Sequence, residues 1–457
     1  MALKNSVRSS ILIKMFAIGV LAMLLLIPTG MIKNLINERS MRESKATMEV
    51  NNKWGNKQVI AGPVLTIPYT ITDEIVTKTK DGETKAQEVV NTSYISFLPE
   101  KLNFNGDIST DLLKRGIYEI TVYNSKIEVD GEFIFPDFSA SNMPDENAVI
   151  NWKEAHVSFS LSDVKALQGN SEFDWNGEKY DFKPGYKTDE IGLALKGSGL
   201  NVPAPVSANE KGKTYNFSFD IDVNGSDSIA FLPLGRETNV SLVSDWPSPS
   251  FDGSFLPDER NITDTGFEAK WKVLELNRDY PQVWDGNPKQ NIHNYSFGAR
   301  MVVVVDEYQK NTRAVKYAIM FIALTFIAFF FVEVLNRIQI HPIQYILVGL
   351  SLVLFFSLLI SITEHLNFNL AYLISSVSTV LMITLYTKTI FKNTRLTLVQ
   401  SGILIAIYIF IYTIIQLEDY ALLFGSVGLF FVLAAIMYIS RKIDWYSVGT
   451  KRIGDGK

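Results

Sequence analysis

The chain has 457 residues, 47% hydrophobic and 20% charged, with no cysteine and a formal net charge of −5. The missing cysteines exclude disulfides, thiolate nucleophiles and iron–sulfur clusters. The acidic balance argues against a nucleic-acid partner, because phosphate binding needs clustered positive charge.

Six apolar segments are each long enough to cross a hydrocarbon core about 30 Å thick as a helix. They are 15–32, 317–335, 343–362, 370–386, 396–417 and 421–439. The first follows a basic start. It is too long for a secretory signal and lacks a small-residue cleavage site after Pro28-Thr29-Gly30, so it reads as an uncleaved anchor. The fourth carries Ser375, Ser376, Ser378, Thr379 and Thr384. Small hydroxyl residues let helices approach closely and share hydrogen bonds, which predicts an inner helix.

Lys and Arg in short loops set orientation. Lys4, Arg8, Lys14, Arg337, Lys388, Lys392, Arg395 and the basic tail fall on one side, and Glu364-His365 and Glu418-Asp419 on the other. Both termini are therefore predicted to be cytoplasmic and the large domain periplasmic. Lys33, Arg39, Arg42 and Lys45, with Lys310, Arg313 and Lys316, oppose this, but long translocated domains obey the rule weakly. Residues 33–313 hold 30 Lys and Arg against 42 Asp and Glu. The positive remainder suits a cytoplasmic face against anionic lipid.

Residues 33–50 space as a polar helix that Trp54-Gly55 ends. Strand patterns follow. Tyr215, Phe217, Phe219, Ile221 and Val223 alternate, as do Phe267, Ala269, Trp271 and Val273, and Val157, Phe159 and Leu161. Asn176-Gly177 between Phe173, Trp175 and Tyr180, Phe182 marks a hairpin. Residues 301–305 read as a strand entering the second span, and 139–146 and 197–212 as loops. Phe97-Leu98-Pro99 recurs as Phe231-Leu232-Pro233, and Asp130-Gly131-Glu132-Phe133 as Asp252-Gly253-Ser254-Phe255. This is an internal echo that either duplication or turn chemistry could produce.

The predicted fold is therefore a mixed membrane protein: an all-β, sandwich-like periplasmic domain plus six transmembrane helices, one N-terminal and five C-terminal. The divisions are an N-terminus and anchor (1–32), a juxtamembrane helix (33–57), a β-rich domain (58–315), a five-helix bundle (316–440) and a cytoplasmic tail (441–457).

Motifs for chemistry are weak. Asp220-x-Asp222-x-Asn224-Gly225 opens like a calcium loop, but its twelfth position is Phe231. Ser162-x-x-Lys165 lacks the accompanying motifs of Ser/Lys acyl enzymes. The four histidines, His156, His293, His341 and His365, show no metal-ligand spacing. Glu364-His365 could bind a metal or sense pH, or simply end a helix before the cap Asn367. Glu333, the only charge inside a span, stands four residues from Arg337 and can pair with it. Gln344 lies near a span end. The prediction is no catalytic residue, no metal and no cofactor.

Several stretches carry a family likeness: Arg115-Gly116-Ile117-Tyr118-Glu119, Pro233-Leu234-Gly235-x-x-Thr238, Ser244-Asp245-Trp246-Pro247-Ser248-Pro249-Ser250-Phe251, Leu276-Asn277-Arg278, and His341-Pro342-Ile343-Gln344. Over nearly its whole length the chain resembles the CreD family, inner-membrane cell envelope integrity proteins of Gram-negative bacteria. The resemblance implies a link to a two-component regulatory system, colicin tolerance and envelope stress, with no established catalytic residue or cofactor.

The expected function is a non-enzymatic envelope protein whose β domain binds an unidentified envelope or inner-membrane partner, with the lipid bilayer as the other. Trp246, Phe251 and Phe255 form the candidate contact surface, though such rings can equally cap a core. Glu333, Arg337, Gln344, Glu364 and His365 are the candidate intramembrane polar group. The alternative is an insertase-like or transport protein, against which stands the lack of an arginine inside a span. A cell-wall hydrolase would need a nucleophile or metal site that the sequence does not offer.

Overall fold

The computed structural model describes residues 11–78, 84–134, 148–207, 212–286, 290–301, 307–336, 338–417, 420–441 and 443. Lys4, Arg8, the loop at 139–146, residues 302–305, Arg337, Glu418-Asp419 and most of the basic tail lie outside them. The chain forms two compact units, residues 45–304 and residues 1–44 with 305–457.

The first unit is built from strands β1 Gln58–Lys78, β2 Thr84–Phe97, β3 Lys101–Arg115, β4 Tyr118–Ile134, β5 Val149–Ile150, β6 His156–Leu161, β7 Leu167–Gln168, β8 Glu172–Trp175, β9 Glu178–Asp181, β10 Lys183–Pro184, β11 Ser198–Pro203, β12 Thr214–Ser226, β13 Ser228–Phe231, β14 Glu237–Ser244, β15 Pro249–Gly253, β16 Glu259–Thr263, β17 Gly266–Leu274, β18 Val283–Asp285 and β19 Phe297–Met301. The larger sheet runs β10-β11-β6-β1-β13-β19-β15, with β2 and β5 also on β1 and β18 on β2. The smaller runs β16-β17-β14-β3-β4-β12-β8-β9, with β7 on β12.

The alternation read from the sequence sets the inner faces. On β12, Tyr215, Phe217, Phe219, Ile221 and Val223 are all buried. Phe219 meets Phe159 of the other sheet at 5.0 Å between ring centroids, and Phe104 meets Phe231 at 5.0 Å. Each such ring contributes roughly 2–3 kcal/mol by leaving water. The Asn176-Gly177 hairpin forms as expected, with Trp175 paired to Glu178 and Phe173 to Tyr180. The sheets mix directions, since β1 pairs β13 and β3 pairs β14 in parallel. One expectation changes. Part of the 197–212 loop is strand β11, laddered to β6.

The two parallel pairs explain half of the internal echo. Phe97-Leu98-Pro99 and Phe231-Leu232-Pro233 each end a strand of the larger sheet and lead to a strand of the smaller one, β3 and β14, which lie side by side. The crossings bond directly, Arg236 N–H to Pro99 O at 2.9 Å and Glu237 N–H to Glu100 O at 3.0 Å. The second half has no such equivalence. Asp130-Gly131 lies within β4 of one sheet, and Asp252-Gly253 ends β15 of the other.

The second unit is helical: α1 Ile11–Leu24, the start of α2 Leu26–Trp54, then α4 Glu307–Lys316, α5 Ala318–Asn336, α6 Pro342–Thr363, α7 Phe368–Phe391, α8 Thr394–Gln416 and α9 Ala421–Ser440. A short α3, Asp189–Leu195, belongs to the β unit. Pro28 has no N–H for the Leu24 carbonyl, and the first long helix breaks there at Leu25. Among the described residues six helices are long and apolar enough to cross a membrane. Asn367 caps α7 by accepting from Leu370 N–H at 3.0 Å, and Asn393 caps α8 by accepting from Arg395 N–H at 3.0 Å.

The bundle packs through rings: Phe321, Phe355, Phe356, Tyr372 and Tyr408 meet edge to face with centroid spacings from 4.9 to 6.4 Å. The expectation that α7 is an inner helix holds for one of its faces. In its most apolar stretch 33% is buried, against 61% for α5. The reason is periodicity: Ser375, Ser376, Thr379 and Thr387 share one buried face, while Leu373, Val377, Leu381 and Leu385 of the other are exposed. Among the described residues α9 buries none.

Candidate functional site

The Trp-Pro-Ser-Pro string is another passage between sheets, from β14 to β15. Asp245 starts it by accepting from Thr110 N–H at 2.9 Å and Thr110 Oγ1 at 2.7 Å. Trp246 Nε1 donates to Ser248 O at 3.2 Å. Phe251 stands edge-on to Phe267 and Trp271, and Phe255 to Phe297. All three predicted contact rings are half-buried against the core. Leu256, 68% exposed, is a large apolar residue of this loop that faces outward.

Leu276-Asn277-Arg278 serves the two crossings. Arg278 is buried. Its guanidinium lies 4.2 Å over the Tyr280 ring and donates to Tyr280 O at 2.5 Å, Gln282 Oε1 at 2.7 Å and Gly235 O at 3.5 Å. Tyr280 Oη donates to Pro233 O at 2.7 Å, and Leu98 N–H to Gln282 O at 2.9 Å. Carbonyl dipoles thus hold a buried cation, and burial raises the Tyr280 phenol well above its usual range. In Pro233-Leu234-Gly235-x-x-Thr238, Thr238 Oγ1 accepts from Gly235 N–H at 2.9 Å. These strings read as motifs, and the structure uses them as a buckle.

The intramembrane polar residues join helices. Glu333 near the end of α5 is 6% exposed. Its carboxylate pairs with Lys14 of α1, accepts from Tyr345 Oη at 2.9 Å and caps Ile340 N–H at 3.1 Å. Lys14, absent from the sequence-level site, is thus its ionic partner among the described residues. Glu364, at the far end of α6, pairs with Arg39 of α2 at 3.2 Å. Between these points Gly349 makes room for Leu25: a Cβ there would lie 2.2 Å from Leu25 Cδ1. Lys14 and Arg39 are 25 residues apart, roughly 37 Å along a helix, so both pairs fall just beyond an apolar band of about 30 Å. That spacing was the available signal that Lys14 and Arg39 bracket one span, though not for the acids they meet. Gln344 Oε1 accepts from His341 N–H at 2.9 Å and closes the start of α6. His365 is exposed on the turn between α6 and α7.

The weaker motifs have structural uses. Asp220 and Asp222 stay within the β12 ladder, where Asn124 Nδ2 donates to Asp222 Oδ1 at 2.6 Å. Ser162 Oγ accepts from Val59 N–H at 2.9 Å. His293 Nε2 lies 2.7 Å from Leu195 O, and burial depresses its basicity. Among the described residues no group of three His, Asp or Glu is placed to hold a metal ion.

A family profile described as "Inner membrane protein CreD" matches residues 10–446. The Inner membrane protein CreD of Escherichia coli strain K12 is 30% identical over 452 residues, which is 98% of this chain and 97% of that protein. A solved structure of a candidate nutrient binding protein from Legionella pneumophila aligns with 50% of this chain and 77% of its own, at 8% identity and a TM-score of 0.21; so slight a likeness bears on neither fold nor function. With a profile and a curated relative both matching from end to end, the chain belongs to the CreD family of inner membrane proteins.

Proposed function

We propose that this chain is a non-enzymatic envelope-integrity protein whose β unit lies in the periplasm and binds an envelope partner, with the helical unit as its membrane anchor. The observation that carries this reading is the use of Glu333. The one acid inside a span is shared among Lys14, Tyr345 Oη and Ile340 N–H, which makes it a helix fastener rather than a free proton or ion site. The contact surface takes in the outward side of the 245–257 loop at Leu256, because Phe251 and Phe255 are engaged with the core.

The test has two arms. Reporter fusions near residues 150 and 390 should report opposite compartments. In vivo crosslinking of the full chain under cell-wall antibiotic stress should capture one reproducible membrane partner, lost in Leu256→Asp while the protein stays folded. Fusions in one compartment, or capture unchanged by the substitution, would refute the proposal. A second reading, solute passage through the bundle, has one observation in its favour: Gln400 is fully buried and neither of its amide heteroatoms has a partner among the described residues. Flux through reconstituted vesicles that Gln400→Leu abolishes would decide for it.

A further inference from the structure

The outer face of a sandwich sheet ordinarily meets water. On the larger sheet here, part of that face is buried and polar. Trp284 of β18 pairs with Ser96 of β2, Ser96 with Thr66 of β1, and Thr66 with His156 of β6. Ser158 follows two residues along β6 on the same face. Residues paired directly across strands hold their Cβ atoms about 5 Å apart, so these five side chains form one continuous row. The neighbouring register line, Val283, Phe97, Leu65 and Val157, packs in or against the hydrophobic core, to which Trp284 also belongs, and side chains of adjacent register lines stand on opposite faces of a sheet. The row therefore points the other way. Yet Thr66 and Ser158 are 0% exposed, His156 1% and Trp284 6%.

Among the described residues four atoms of this row have no hydrogen-bond partner: Thr66 Oγ1, His156 Nε2, Ser158 Oγ and Trp284 Nε1. Buried polar groups in folded proteins are nearly always paired, with protein or with ordered water, and three exceptions on one register line with a fourth two residues along β6 mark a place for a polar guest. Its chemistry can be read from the set. His156 Nδ1 lies 3.2 Å from Glu154 O, which can only accept, so Nδ1 carries the proton and Nε2 offers a bare lone pair. Burial depresses the His156 pKa to about 4, so the ring is neutral. Trp284 can only donate, and the two hydroxyls can do either. None of the five side chains carries a charge, so an ion placed among them would lack a counter-charge.

A strap from Gly185 to Gly197 that contains α3 meets β6 where Ser160 Oγ donates to Lys196 O at 2.5 Å, Ser160 lying two residues beyond Ser158 on the same face. Its own Ile191 and Leu195 are buried. It is fastened by Tyr186 Oη donating to Lys196 O at 2.8 Å, Gly185 N–H donating to Gly199 O at 2.8 Å, and His293 Nε2 at Leu195 O. Both ends sit in left-handed backbone: Gly185 has φ +89°, Lys196 +55° and Gly197 +71°. Glycine adopts such geometry without steric cost, and residues at element ends of this kind absorb hinge motions.

We propose that the row and its strap form a closed binding site for a small uncharged molecule bearing hydroxyl groups, a sugar or other polyol, which donates to His156 Nε2 and accepts from Trp284 Nε1. The strap opens at its two glycine ends to admit it.

The test uses the full-length protein in lipid nanodiscs, with glucose and N-acetylglucosamine as probes and glucose 6-phosphate as the charged control. A neutral sugar should slow hydrogen exchange in residues 185–197 and bind saturably, while the phosphate ester should not. Thr66→Val and Ser158→Ala should each weaken binding about tenfold, the worth of one hydrogen bond, without lowering the melting point of the sugar-free protein. His156→Phe should abolish binding. No response to either neutral sugar, equal response to the phosphate ester, or binding unchanged in Thr66→Val and Ser158→Ala would each overturn the proposal. So would a high-resolution structure in saturating sugar with only ordered waters along the row.

Discussion

Replacing Glu333 by Gln should loosen the N-terminal helix from the bundle. The Glu333 carboxylate is 7% exposed and the Lys14 side chain 32%, so the pair is shielded on one side only. Two unit charges about 3 Å apart at an effective dielectric of about 20 attract by roughly 5 kcal/mol. Desolvation offsets more than half of that, leaving an expected coupling of about 2 kcal/mol. The substituted amide would also keep only one acceptor oxygen, so either Tyr345 Oη or Ile340 N–H would lack its partner, adding about 1–2 kcal/mol to the single substitution. A thermodynamic cycle of Lys14→Met, Glu333→Gln and the double variant separates the two effects. Stability is read from unfolding of the helical signal in nanodiscs. Position is read from spin labels at Met23→Cys and Leu354→Cys, both lipid-exposed in a chain with no native cysteine. The label distance should broaden in Glu333→Gln. A coupling below about 0.5 kcal/mol with an unchanged distance distribution would show that the pair does not seat the helix.

Gly349→Val should destabilise the same seat by about 2 kcal/mol through overpacking, and Leu25→Ala in that background should recover part of the loss, because it vacates the space the new Cβ enters. Tyr280→Phe should cost about 1–2 kcal/mol, since Pro233 O would lose its donor; denaturant titration followed by tryptophan emission would detect it, six of the seven tryptophans lying between residues 54 and 284. His156 adds a pH dependence. Its ordinary value of 6.5 falls to about 4 in the folded chain, by burial first and the nearby Lys187 charge as a lesser cause. The unfolded chain therefore takes up a proton that the folded one refuses, so stability is full above pH 6.5 and declines by up to about 3 kcal/mol as pH falls toward 4. His156→Gln should show a shallower decline over that window, and equal slopes would contradict the assignment.

Properties that depend on neighbours along the chain were legible before any fold was known. The spans followed from runs of apolar residues matched to bilayer thickness, the inner faces of β12 and β17 from a period of two, and the Asn176-Gly177 hairpin from the backbone conformation such a turn requires. Membership of the family was readable from short strings. Their purpose was not, because Arg278 acts on Gly235 and Gln282 on Pro99, partners far from it in sequence.

The contact surface shows the same divide. Trp246, Phe251 and Phe255 in a proline-rich loop look like an exposed aromatic patch until β17 and β19 are placed beneath them. Periodicity along α7 was visible, but whether its hydroxyl face or another helix lay innermost depended on what packed against it. Lys14 and Glu333 are 319 positions apart, and nothing local links them. The sequence by itself determined which segments enter lipid, which residues face inward on each strand and where turns fall, since these follow from local geometry and transfer free energy. Only the tertiary structure decided which charges pair, which loops buckle the sheets together and which polar atoms are left without partners, because each depends on distances between segments that meet only when the chain is folded.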